Sequence, residues 1–143
     1  MSGARVEVRA LVEGVLDAFV PPTTLGVDWR QDPRVSWAMD RPGFSPQAGA
    51  WGLRIIDEQA PRERTQAVTV LTWDVLVPLQ ISPVLDRIDE DAAVDAFADA
   101  LRSHLFAGRE AGESLQFVSA SIRSPADGWL LLTVRGTAVY LES

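Results

Sequence analysis

Apolar residues recur along this chain first with a helical period, then in alternation, and then in the same two patterns again. From Ala4 to Phe19, the residues Val8, Leu11, Val12, Val15, Leu16 and Phe19 follow the i, i+3, i+4, i+7 spacing of a helix with one buried stripe. Ser2 stands at the capping position, and Pro21-Pro22 stops the helix because proline lacks the N–H that the next turn needs. Residues 21–50 then lose periodicity. Pro21, Pro22, Pro33, Pro42 and Pro46 alternate with Gly26, Gly43 and Gly49, which predicts irregular chain with room for one short strand at Val35–Met39. Ala50–Ile56 alternates Trp51, Leu53 and Ile55 on one face, as a strand does. Asp57–Arg64 is a charged connection with Pro61 in it, and it makes the tip of a hairpin whose second arm is Thr65–Leu79.

That second arm, TQAVTVLTWDVLVPL, is too long and too β-branched for an ordinary surface strand. Alternation puts Ala67, Thr69, Leu71, Trp73, Val75 and Val77 on one face and Val68, Val70, Thr72, Asp74 and Leu76 on the other. The first face packs a core. The second is only partly polar, and it calls for a second layer or a partner subunit. Pro78 and Pro83 end the strand. A second helix is predicted from Asp89 to Phe106, with Val94, Phe97, Ala98, Leu101 and Leu105 buried, acids at its N-terminal end, and Arg102, His104 and Gly108 at its C-terminal end. Residues 115–123 form a strand, Ser124–Gly128 a turn, and Trp129–Leu141 a last long strand. The expected fold is a single α+β domain over residues 1–143. It consists of an N-terminal helix, a Pro/Gly-rich segment at about 21–50, and a mixed or antiparallel sheet of about four long strands, with the second helix between two β-hairpins.

Composition narrows the chemistry. The 143 residues are 47% hydrophobic and 23% charged, and the longest apolar run falls short of the ~20 residues of a bilayer span. The N-terminus has no basic region followed by an apolar run, so a cytoplasmic site of synthesis is expected. No cysteine is present, which excludes disulfides and thiolate chemistry. Net charge is −7 and every basic side chain except the one histidine is arginine, with no clustered basic patch, so direct nucleic-acid binding is not expected.

Motifs for catalysis are absent from the sequence. It has no Gly-rich phosphate loop and no nucleophile elbow, and any triad would have to use the single His104, which is read as a surface residue beside the carbonyls of its own helix end. The acids between Asp86 and Asp99 lack the central Gly and terminal Glu of a calcium loop. Helical spacing instead puts Asp91, Asp95 and Asp99 in one row, read as a solvated face or as the like-charged lining of a passage through which DNA slides without sticking. No metal or cofactor is expected. Trp51, Trp73 and Trp129 are assigned to the core or sheet face, and Trp29 and Trp37 to packing of a loop or a neighbouring subunit. Arg62, Glu63 and Arg64 are either solvated loop residues or a charged tip that reaches an adjacent protomer. Asp74 interrupts an apolar strand and most simply marks its wet face. The alternative is a small cavity domain with an acid/base site built from Asp74 or Asp127 with Arg135 or His104.

The order of elements carries a resemblance. An amphipathic helix, a Pro-rich segment, a hairpin ending in RTQAVTVLTWDVLVPL, an acidic-capped helix DEDAAVDAFADALRSHLF and the closing hairpin LQFVSASIRSPADGWLLLTVRGTAVYLES together resemble the tail terminator proteins of long, non-contractile-tailed bacteriophages. The likeness is one of topology and length over nearly the whole chain. It implies a structural virion protein, not an enzyme, at the tail–head junction. Its partners would be further copies of itself in a hexameric ring, the tail tube protein and the head-completion proteins, with DNA only passing through. A head–tail connector or tail tube subunit is the near alternative within the same class.

Overall fold

The computed structural model describes residues 3–22, 27–35, 47–59, 68–80, 87–106, 115–126 and 128–141. The elements run α1 (Ala4–Asp17), β1 (Arg30–Gln31), β2 (Ala50–Gln59), β3 (Val68–Gln80), α2 (Arg87–Phe106), β4 (Gln116–Ala126) and β5 (Trp129–Leu141). The chain is α+β, with two helices and one mixed sheet of strand order β1-β2-β3-β5-β4. β2 and β3 form one antiparallel hairpin and β4 and β5 the other. β3 and β5 join them, paired from Val68↔Leu141 to Gln80↔Trp129.

Both helices lie on one face of this sheet. Val8, Val12 and Leu16 of α1 and Val94, Phe97, Leu101 and Leu105 of α2 share a buried cluster with Leu71, Trp73, Val75, Val77 and Leu79 of β3. The alternation read in β3 is therefore the alternation that builds the core. The opposite face holds a smaller cluster of Val35, Ala50, Leu76 and Leu131. Val35 reaches it because an Asp32–Arg34 turn, in which the Arg34 amide donates to Asp32 Oδ1 at 3.0 Å, folds the chain back. The Arg34 side chain donates to both Asp32 carboxylate oxygens, and these hydrogen bonds hold the Asp32 carboxyl below its ordinary range. The remainder of the candidate strand at 35–39 lies outside the described residues.

Several boundaries differ from the sequence reading, each for a physical reason. β2 runs on through Asp57, Glu58 and Gln59, although their composition is that of a connection, because a bulge at Ile56 keeps the ladder with Thr72, Leu71 and Val70. β3 continues past Pro78 to Gln80. The β2–β3 ladder begins at Gly52↔Leu76, and Pro78 O accepts from the Gly49 amide on that side, so the absent proline N–H interrupts no pair. β4 extends through Pro125 to Ala126, which an outer strand tolerates. α1 stops at Asp17, its N-cap is Gly3, and Leu11 stands 41% exposed instead of in the stripe.

The short β1, absent from the sequence reading, depends on Gly49. This residue has φ +85°, and a Cβ placed on it would sit 2.8 Å from both Asp28 O and Val27 Cβ. Gly49→Ala combines a strained backbone with a clash against main chain, and a loss of ~2–3 kcal/mol is expected in denaturant unfolding. A change under ~0.5 kcal/mol would show that segment 27–31 moves aside freely.

Candidate functional site

Three assemblies of polar and aromatic side chains stand out. The first is a cross-strand row on the face away from the helices. Register places Arg54 of β2 opposite Asp74 of β3, and Asp74 opposite Arg135 of β5. Arg135 Nε donates to Asp74 Oδ1 at 2.9 Å and its Nη2 to Oδ2 at 3.2 Å, while Arg54 Nη2 donates to Oδ2 at a longer 3.4 Å. The Asp74 side chain is 0% exposed, whereas the Arg54 and Arg135 side chains are 46% and 42% exposed. Asp74 therefore does not mark a wet face. It is buried and paired with two partly exposed guanidiniums. The hydrogen bonds it accepts, reinforced by its charge, hold the Arg135 guanidinium above its ordinary range. Both carboxylate oxygens are engaged and inaccessible, so the row acts as a brace across three strands.

The acid/base alternative pairs Asp74 with Arg135, and the structure brings these two together. It separates them from His104, which belongs to α2 on the helix-bearing face. Sequence reasoning misses Arg54, although a lone cation in the alternating run AWGLRII carries the signal. Asp127 lies outside the described residues.

The second assembly closes the C-terminal end of α1. That helix has no basic residue in its last turn, and its terminal carbonyls take donors from elsewhere. Trp29 Nε1 donates to Leu16 O at 2.7 Å, and His104 Nε2 hydrogen-bonds Val15 O. A carbonyl can only accept, so Nε2 carries the proton. His104 also packs against Phe19, with centroids 5.2 Å apart. It is thus half-buried at the α1–α2 contact and serves the end of another helix, not its own. Trp29 sits in a cage of Phe19, Trp51 and Phe97, with centroids 4.9, 5.9 and 6.1 Å away, and fastens the segment before β1 onto the core.

The third is a groove of about 550 Å³ between α2 and β4, lined by Asp99, Arg102, Ser103, Phe106 and Phe117. Arg102 Cζ lies 3.8 Å from the centroid of the Phe117 ring, a cation–π contact. Asp91, Asp95 and Asp99 are all exposed along α2, so the acidic row is presented to solvent as helical spacing required. Among the described residues, no group of three His, Asp or Glu side chains is placed to hold a metal ion, and no helix is long and apolar enough to cross a membrane. Arg62, Glu63, Arg64 and Trp37 lie outside the described residues. Comparison with the models of protein families gives no match to this chain, and comparison with curated proteins gives none either.

Proposed function

We propose that this chain is a structural virion protein of the tail terminator type. In this reading a ring of copies, a hexamer by resemblance, caps the tail tube, ends its polymerisation and joins the tail to the head-completion proteins. The observation that carries the reading is the unequal cover of the two sheet faces among the described residues. The helix–hairpin–helix–hairpin order folds so that both helices cover a single face, and the other retains half-exposed groups such as Arg54, Arg135, Thr133 and Thr137. A surface of this kind suits lateral contact between subunits in a closed assembly. The Asp91, Asp95 and Asp99 row then faces solvent or the channel, where like charge keeps DNA from adhering. Arg62, Glu63, Arg64 and Trp37 are the proposed contacts to a neighbouring protomer. The role asks for no catalysis and no cofactor.

Solution mass by light scattering, without and with isolated tail tubes, tests this reading. A discrete closed oligomer, or a smaller species that caps tube ends and halts growth, is the expected result. Open-ended filaments would indicate a tube subunit, and a species indifferent to tubes would remove the proposal.

A further inference from the structure

The outer edge of β2 is occupied from within the chain, by two different means. At its start, Gly49 O and Trp51 O accept from the backbone amides of Arg30 and Asp32 at 3.2 and 2.8 Å, because β1 lies alongside. β1 ends at Gln31, and side chains of α1 take over at the next two alternate carbonyls. Arg9 Nη1 donates to Leu53 O at 3.1 Å, and Arg5 Nη2 donates to Ile55 O at 3.4 Å. Past Ile55 the register shifts before Asp57, and Asp57, Glu58 and Gln59 are exposed with two acids among them.

Two periodicities make this possible. Arg5, Arg9 and Glu13 stand at i, i+4 and i+8 of α1, which places them in one row with a step of about 6 Å along the helix. Alternate carbonyls on one side of a strand repeat every ~6.8 Å, so one side chain can serve each of them in turn. The helix runs in the opposite sense to β2, and Arg5 therefore meets Ile55 while Arg9 meets Leu53. Glu13 continues the row. Its Oε1 accepts from Gln31 Nε2 at 3.0 Å, and Gln31 is the β1 residue paired with Trp51. Glu13 also lies 3.7 Å from Arg9 Nη1, so one carboxylate ties that arginine to β1. The row thus follows β2 at three alternate positions, directly at 55 and 53 and through Gln31 at 51.

From this match we infer that Arg5 and Arg9 are an assembly-limiting lock: their guanidiniums stand where the amides of a further strand would donate, and they close the β2 edge to strand addition. An extended segment arriving there would have to displace a charged donor from Leu53 O and another from Ile55 O. A guanidinium donates and cannot accept, so it ends the ladder and offers no template for the next strand. Anchoring and closing fall to different residues of the same helix. Val8, Val12 and Leu16 hold α1 in the core, and the two arginines reach from it to the edge. The inference does not depend on the ring reading, since it concerns a contact that is prevented and not one that a ring would use.

The full-length R5A/R9A variant tests this, compared with the parent at equal chain concentration so that the parent's own oligomeric state does not enter. Its mass by light scattering is expected to rise to twice the parent's or beyond, because copies of the chain can then add to one another at β2. The amides of Leu53 and Ile55 point to the same side of the strand as their carbonyls, so they should exchange more slowly in the associated variant than in the dilute one. Val12→Ala is the control. It removes fully buried methyl groups beneath the same helix and leaves both arginines in place, and the folded variant is expected to keep the parent's mass. An R5A/R9A chain with the parent's mass, association without added protection at Leu53 and Ile55, or equal association of Val12→Ala would overturn the inference, the last because lost stability alone would then explain it. Should R5A/R9A fail to fold, the parent decides by NMR of its arginine side chains. Separate, slowly rotating Nη groups are expected for Arg5 and Arg9, and averaged signals for both would overturn the lock.

Discussion

Arg135→Met is expected to lower unfolding stability by ~3–4 kcal/mol, whereas Asp74→Ala, which removes the other end of the same ion pair, should cost only ~2 kcal/mol. The asymmetry follows from burial. Without Arg135 the fully buried Asp74 carboxylate keeps only the 3.4 Å hydrogen bond from Arg54, and its desolvation is no longer offset. Without Asp74 the two guanidiniums, each more than 40% exposed, turn to water. In a chain of this length, the Arg135 variant should melt roughly 10 °C below the parent. Asp74→Leu combined with Arg135→Met should recover most of the loss, because an apolar pair needs no compensating charge at that place in the sheet. A double variant as unstable as the sum of the singles would show that the row contributes through packing and not through its charges.

Gly136→Ala is expected to cost ~3 kcal/mol, a large effect for one methyl group. A Cβ at Gly136 would stand 2.5 and 2.8 Å from Cζ2 and Cη2 of Trp73 and 3.0 Å from the backbone oxygen of Gln116. The indole cannot retreat. It is fully buried in the centre of β3 and stacked on Phe106 at 5.8 Å, and Phe106 in turn meets Phe117. Trp73→Phe removes the ring edge that clashes and also a buried Nε1 with no hydrogen-bond partner, so it should rescue Gly136→Ala in part. Chemical denaturation of the four proteins of this cycle measures the coupling, and a value near zero would mean that Trp73 and Gly136 do not constrain each other.

Elements that bury an uninterrupted apolar pattern are legible in the sequence alone. The stripe Val94–Phe97–Leu101–Leu105 could only be a helix with one covered face, and Leu71, Trp73, Val75 and Val77 could only be one side of a strand. These patterns are local, and both arms of each hairpin are near in sequence, so fold class and hairpin pairing follow from them. Element ends are less legible. Asp57–Gln59 and Ser124–Ala126 have the composition of loops, yet the chain beside them supplies a ladder that holds them extended.

Isolated polar residues take their meaning from tertiary contacts instead. Asp74 reads as a wet-face residue until Arg54 and Arg135, 20 and 61 positions away, are set beside it by register. His104 reads as a surface residue until α1 ends against it, 89 positions away. The same holds for the sheet edges. Nothing local says that Arg5 and Arg9 lie over β2 while β4 is left outermost, since strand order arises from the joining of β3 to β5 and not from any one segment. A buried charge or an open edge depends on what the rest of the chain places next to it, and the identity of the residue alone does not contain that information.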